Sequence, residues 1–333
     1  VTKLALFGAG RIGQVHARNL MAMQDMKLVA IADPVPSPGR EDLLARSQAR
    51  LSDAEAVFAD PEIDAYLIAS PTDTHEWLLR QAARTGKPVF CEKPVSLDFR
   101  KVIDIAREIG SAGNAVMLGF QRRYDPDFLH VKEEIASGRS GKVQHIVMHT
   151  RDPSPPPVSY VKSSGGLFRD QAIHDFDMTR YLLGEEIVSV SATGACLIDP
   201  AIGEAGDIDT AMITLRSESG RLVQMINARH AAFGYDQRLE AVCEKRVFYV
   251  ANQPATNFIS ADIQGFTSSR PMSDFIARFA EAYRAEMDAF RALIQQGKPP
   301  LATMRDGVEA QRLAEAATLS LELSRPVAVS MVD

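Results

Sequence analysis

Cysteine is scarce in this chain of 333 residues: there are three, Cys91, Cys196 and Cys243. They are widely spaced, odd in number and form no CxxC pair, so the sequence offers neither a disulfide framework nor a cysteine-based zinc site. That usage fits a reducing cytoplasm, the expected location. No apolar run approaches the ~20 residues of a membrane span. The start of the sequence reads directly as a strand, without the basic and apolar segments of a signal peptide. A surplus of positive charge is missing too. Lys and Arg number 37 against 43 Asp and Glu, a net charge of -6, which argues against nucleic acid as the main partner. There is no internal repeat, and the one biased tract is the short proline cluster at 153–157. What remains, 46% hydrophobic and 24% charged, is ordinary for a soluble globular protein with room for two domains.

The first half alternates strand and helix signals. Residues 3–7 form a short apolar run, followed by Gly8-Ala9-Gly10-Arg11-Ile12-Gly13 and a helical spacing of Ile12, Val15, His16, Leu20 and Met23. A second strand over 27–32 ends in Asp33, about 20 residues past the last glycine, as the dinucleotide fingerprint requires. Glycines let the backbone approach a pyrophosphate, and the helix N-terminus supplies N–H donors. This makes Gly8, Gly10, Arg11 and Ile12 candidate cofactor contacts. Asp33 would accept from the adenosine ribose hydroxyls and repel a 2′-phosphate, so NAD is expected. Its bland reading is a turn residue, and Arg40 nearby leaves NADP open. Further strands over 64–69, 88–91 and 115–119, with helices over 74–85 and 97–112, point to a doubly wound parallel sheet. Ligands sit at the carboxyl ends of such strands, which places Ser70, Thr72, His75, Glu92, Lys93 and Gln121 among the cofactor candidates. His75 reads equally as a residue packing a helix start, and His16 as a packing residue. Lys93 is a plain solubilising lysine or, in a cleft, a donor that stabilises a developing alkoxide.

In the second half, 127–137 reads as a helix, 142–150 as a strand and 151–166 as a proline-rich loop. Strands over 187–196, 208–216, 221–230, 238–244 and 246–251 suggest an antiparallel sheet, and helices follow over 273–296 and 305–323. His145 and His149 share one face of a strand and are expected to decorate the sheet. Between strand and sheet lies Gly165-Gly166-Leu167-Phe168-Arg169-Asp170-Gln171-Ala172-Ile173-His174-Asp175-Phe176-Asp177. As a helix opening after the glycines, it sets Asp170 and His174 four apart on one face, Asp177 near it, with Ile173 and Phe176 inward. An imidazole flanked by carboxylates moves protons near neutral pH. The bland alternative is an amphipathic helix with a solvated acidic face.

The glycine motif, Ser70-Pro71-Thr72-Asp73-Thr74-His75, Cys91-Glu92-Lys93-Pro94, Gly119-Phe120-Gln121-Arg122-Arg123-Tyr124-Asp125-Pro126 and the 165–177 stretch occur in that order. Together they resemble the GFO/IDH/MocA family of NAD(P)-dependent sugar and polyol dehydrogenases, over essentially the whole chain. Within it, Arg151-Asp152-Pro153, Tyr160, Lys162 and Gly234-Tyr235-Asp236-Gln237-Arg238 look most like the bacterial inositol 2-dehydrogenases. The resemblance implies a Rossmann domain over 1–120, an α/β domain with a large, mostly antiparallel sheet over 121–333, and a homotetramer packed through those sheets. It implies a catalytic set of Lys93, Asp170 and His174, with Arg123, Asp177 and Tyr235 on the substrate side and no metal. The activity implied is NAD-dependent oxidation of a cyclic polyol, myo-inositol to its 2-ketone; scyllo-inositol or an aldose is the alternative. A reading of another class is a dinucleotide-sensing regulator, which should have lost Lys93 or the Asp170/His174 pair. Two departures stand out: Gln171 where relatives usually carry Met, and Cys243-Glu244-Lys245-Arg246-Val247 in place of a glycine-containing turn.

Overall fold

The computed structural model describes every residue except Asn114 and Asp333. The chain divides into two compact units, each made of two stretches: Val1–Asp125 with Glu281–Val308, and Pro126–Ala280 with Glu309–Asp333. This differs from the single boundary at residue 120 read from the sequence. The return segment belongs to the first unit because its apolar side chains complete that core. The Phe290 ring lies 5.8 Å from Phe90, and Tyr283 lies edge-on to His16 at 5.6 Å. Ala302 accepts from the Leu118 N–H at 3.2 Å.

In the first unit, β1 (Thr2–Phe7), α1 (Arg11–Met21), β2 (Met26–Ala32), α2 (Pro38–Ser47), β3 (Arg50–Leu51), α3 (Ala54–Ala59), β4 (Ala65–Ile68), α4 (Thr72–Thr85), β5 (Val89–Glu92), α5 (Phe99–Ala112) and β6 (Val116–Gly119) follow one another. All five strand pairings are parallel, in the order β3-β2-β1-β4-β5-β6. The order reverses between β1 and β4, which opens a crevice at the carboxyl ends of those strands. Every residue of β4 and β6 is buried, as a sheet covered on both faces requires. Polar side chains start three of the helices: Ser37, Asp53 and Asp98 accept from Arg40, Ala56 and Arg100 N–H groups at 3.2, 2.7 and 3.0 Å.

The second unit holds α6 (Pro126–Ala136), β7 (Val143–Arg151), α7 (Val158–Ser164), a π-helical turn (Phe168–Ala172), α8 (Ile173–Leu183), β8 (Ile187–Ala195), α9 (Pro200–Glu204), β9 (Thr210–Ser217), β10 (Leu222–Ala228), β11 (Asp236–Cys243), β12 (Val247–Val250), β13 (Ile259–Asp262), β14 (Gly265–Ser268) and α10 (Phe275–Arg278). After α11 (Ala280–Gln296), the chain ends with α12 (Met304–Leu323) and β15 (Val327–Ala328). The sheet order is β12-β11-β7-β10-β9-β8-β15, antiparallel throughout except for the parallel pair β7–β10. Along β9, buried Ala211, Ile213 and Leu215 alternate with exposed Met212, Thr214 and Arg216. Register carries the exposed face across Ile226 and His149 to Arg238, so His145 and His149 do stand on a sheet face. Where the two-residue β15 stops, Ser320 takes over its ladder. Its buried hydroxyl accepts from Ala192 N–H at 2.9 Å and donates to the Arg325 carbonyl at 2.7 Å.

Three expectations change. The loop over 151–166 contains α7, which begins directly after Pro157. The helix after the glycine pair opens as a π-turn, and α8 is buried at every position from Ile173 to Arg180, so it has no solvated acidic face. The helix read over 273–296 is broken at Phe279 into α10 and α11.

Candidate active site

In the first unit the glycine loop forms a cradle at the end of β1. Gly8 has a φ of +88°, and a Cβ there would lie 2.5 Å from the Ser70 Cα; one on Gly13 would lie 2.1 Å from the Gly8 carbonyl oxygen. Both positions are closed to any side chain. Gly10 differs: a Cβ there meets nothing within 4 Å, because it would project into the open space at the α1 N-terminus. That space suits a pyrophosphate, since α1 has neither a side-chain cap nor an acidic residue in its first turn. Arg11 is exposed beside it, and Ile12 half-buried. Asp33 ties the cradle together, accepting from the Ala9 N–H at 2.7 Å and the Val35 N–H at 2.9 Å. Arg40 is committed elsewhere. Its Nη1 donates to the Asp33 carbonyl at 3.0 Å and its Nη2 to Glu41 at 2.6 Å.

The next strand ends are stitched together by His75. Its ring nitrogens face the Pro94 and Ser70 carbonyl oxygens, each at 2.9 Å. Burial pushes its pKa down, against the pull of those two carbonyls. His75 therefore sits inside the loops, as the packing reading had it. Ser70 and Thr74 hydroxyls are 2.6 Å apart, Thr72 opens α4, and Gln121 is buried. Lys93 is half-buried at the end of β5, before a cis peptide to Pro94. Arg123, placed on the substrate side by resemblance, is 4% exposed; it donates to the Leu301 carbonyl, and at 2.9 Å to Asp306.

One arrangement here was invisible to motif reading, because residues 16, 92 and 286 share no local pattern. Among the described residues, His16, Glu92 and Glu286 are the one trio of ligand-type side chains whose ligand atoms all fall within 4.8 Å. His16 Nε2 lies 2.7 Å from Glu92 Oε1. Glu286 is fully buried, and neither of its oxygens has a hydrogen-bond partner. Two carboxylates this close in an apolar site do not both ionise. Burial, reinforced by the charge of Glu92, raises the Glu286 carboxyl well above the carboxylate range, so Glu286 carries the proton. The trio reads as a proton-holding group under β5.

In the second unit the π-turn and α8 carry the pair singled out from the sequence. Asp170 accepts from the Tyr160 hydroxyl at 2.8 Å and from Arg229 Nη1 at 2.8 Å. Gln171 points the other way: its Nε2 donates to Asp152 at 2.7 Å and to the Ala228 carbonyl at 3.1 Å. His174 is 9% exposed, one turn beyond Asp170. Asp177 and Tyr235 are both buried, Tyr235 edge-on to Phe279. Asp175, the acid between His174 and Asp177 in sequence, is structural. It accepts from Thr150 at 2.9 Å and from Asn227 at 2.8 Å.

Strand, glycine cradle, helix and strand-end Asp33 define the first unit as an NAD-binding Rossmann fold of an oxidoreductase. The chain belongs to the GFO/IDH/MocA family: the model described as the oxidoreductase family's NAD-binding Rossmann fold matches residues 2–120, and that of the GFO/IDH/MocA C-terminal domain matches 128–249. An inositol 2-dehydrogenase from Rhizobium meliloti is 42% identical over 98% of this chain and 99% of its own length. A scyllo-inositol 2-dehydrogenase (NAD(+)) from Bacillus subtilis is 34% identical over 98% of this chain and 95% of its own. The crystal structure of a myo-inositol dehydrogenase from Corynebacterium glutamicum superposes with a TM-score of 0.93, at 39% identity and 98% coverage of both chains. Among the described residues no helix is long and apolar enough to cross a membrane.

The Glu286 assignment sets a sign for stability against pH. A carboxyl whose folded pKa lies above its unfolded one binds a proton on folding, so its contribution is complete below the unfolded value and is lost as pH rises toward the folded one. Glu286→Gln, which mimics the neutral acid, should therefore gain on the parent as pH rises from about 5 to 8, at up to ~1.4 kcal/mol per unit. Urea unfolding at both ends of that range reads the difference; a gap that stays constant would show Glu286 ionised in the folded protein.

Proposed function

We propose that this chain oxidises an inositol at a ring carbinol with NAD⁺, with myo-inositol and its 2-ketone as the first choice of substrate and product. The observation that carries the reading is the presence of Lys93 and of the Asp170/His174 pair in a chain that aligns end to end with an inositol 2-dehydrogenase. A sensor that had given up catalysis would have no use for all three. Scyllo-inositol is the second reading, supported by the similarity to the Bacillus subtilis enzyme. NAD is favoured over NADP because Asp33 presents a carboxylate at the end of β2, while the Arg40 guanidinium is occupied by Glu41 and a carbonyl. Nicotinamide supplies the hydride acceptor when the dinucleotide is bound in the glycine cradle.

The residues then divide the remaining work. His174 takes the hydroxyl proton of the carbinol, and Lys93 donates a hydrogen bond to the same oxygen, offsetting its developing charge. Asp170, one turn before His174, supplies a fixed negative charge that stabilises the imidazolium. By the family resemblance Asp177 and Tyr235 are assigned to the remaining hydroxyls, and Arg123, whose guanidinium is held by the Leu301 carbonyl and Asp306, to supporting the segment after β6. We further propose a homotetramer in which a second copy covers the open sheet face. Met212 and Tyr249 stand 58% and 70% exposed there, more apolar surface than a strand face in water usually shows.

Three measurements follow. Assayed for NADH formation against inositol isomers and aldoses with NAD⁺ and NADP⁺ in parallel, the protein should turn over myo-inositol with NAD⁺ best; binding of NAD without turnover of any polyol or sugar would hand the case to the sensor. His174→Ala should lower kcat by roughly 10²–10⁴-fold, and an unchanged kcat would remove His174 from the chemistry. Light scattering should return the mass of four chains for the native protein and a smaller species for Met212→Glu/Tyr249→Glu; a native monomer would leave the open face unexplained.

A further inference from the structure

Arg229 directly follows β10 and belongs to none of the motifs in the sequence. Its side chain is 3% exposed, and its Nη1 reaches two carboxylates, Asp170 at 2.8 Å and Asp152 at 3.5 Å. Its Nε and Nη2 have no protein acceptor. A buried guanidinium is costly unless compensated, so this residue is present for the carboxylates it serves. Burial works against its charge, but Asp170 and Asp152 outweigh burial and hold it firmly cationic, with Asp207 adding a smaller pull. Of the two acids, Asp152 is the compromised one. Burial pushes its carboxyl up, Arg229 opposes this, and the charge of Asp170 adds to it. Tyr160 closes the other side. Burial, and then Asp170, raise its hydroxyl above the usual range, so it stays a donor to Asp170.

We infer that Arg229, with Tyr160, is a positioning residue: it keeps Asp170 ionised and locked in one orientation at the head of the helix that carries His174. The inference rests on the proposed role of Asp170 in the reaction. The groups against Asp170 include Arg229 from the end of β10, Tyr160 from α7 and, across the guanidinium, Asp152. Of these three, Arg229 is the permanent cation. A cation in contact with an aspartate lowers its pKa by about 1–3 units, so removing it should let Asp170 protonate at higher pH.

The test is a pH series of kcat for Arg229→Met, Arg229→Lys, Tyr160→Phe, Asp170→Asn and the Arg229→Met/Asp170→Asn double variant. Arg229→Met should cost roughly 10- to 100-fold in kcat, the scale of a misplaced catalytic group. Its acid limb should move up by about one unit or more. Arg229→Lys should recover most of both effects, and Tyr160→Phe should shift the limb less, in the same direction. In the Asp170→Asn background, Arg229→Met should add almost nothing, because the two act as one unit. Additive losses, or an acid limb that stays in place, would overturn the inference. If Arg229→Met does not fold, the lysine and Tyr160→Phe variants carry the same comparison. Difference infrared spectroscopy reads Asp170 without turnover. The carboxylate band missing from Asp170→Asn should be present in the native protein at about pH 6 and weakened in favour of the acid band without Arg229. A band unchanged by that substitution overturns the inference. By contrast, an Asp170→Asn variant with undiminished kcat would sink the proposed role of Asp170 and leave the infrared result to decide on Arg229.

Discussion

Asp170 is gripped by two hydrogen bonds of 2.8 Å, one from a tyrosine hydroxyl and one from a buried guanidinium. Much of the second unit is arranged to make that grip possible. β10 delivers Arg229 and α7 delivers Tyr160, while Gln171 holds Asp152 where it helps to balance the guanidinium. The π-turn that begins the helix belongs to the same arrangement. π-turns inside helices are frequent at functional sites, and this one runs from Phe168 to Ala172, with Asp170 at its centre and His174 just beyond it.

The first unit meets the same problem with the opposite solution. Under β5, burial and the neighbouring Glu92 raise Glu286, which holds a proton, while Glu92 lies 2.7 Å from His16 Nε2. A buried carboxylate is either paired or protonated, and this chain uses one device in each unit. Both devices lie next to residues assigned to the chemistry: Glu92 precedes Lys93, and Asp170 is itself one of the three. The glycine cradle serves a different need, the close approach of backbone to an anionic ligand. Its three glycines are not equivalent, since two avoid backbone clashes and Gly10 leaves space open.

The sequence was most readable where function imposes local spacing. The glycine motif, the strand-end Asp33 and the Asp170/His174 pair are each defined by residues within about one βα unit of one another; the parallel sheet followed from alternating strand and helix signals, and the antiparallel one from successive strands with short turns. What it hid was long-range. The return of 281–308 to the first unit, the Glu286 partnership and the Arg229 clamp all join residues that no window contains. The helix in the proline-rich loop was missed because prolines read as breakers, yet Pro157 directly precedes that helix, where a missing N–H costs nothing. The solvated-face alternative for α8 failed because acids such as Asp175 and Asp177 are buried, which sequence alone does not reveal.

In the proposed reaction a hydride leaves one ring carbon of an inositol for the nicotinamide. The most direct measurement uses myo-inositol bearing deuterium at C2, incubated with the protein and NAD⁺, with the reduced dinucleotide analysed by mass spectrometry. Each reduced nicotinamide should carry one deuterium, and turnover should be slower than with unlabelled substrate. Reduced dinucleotide free of the label would place the oxidation at another carbon, and no reduction at all would show that myo-inositol is not oxidised by this protein.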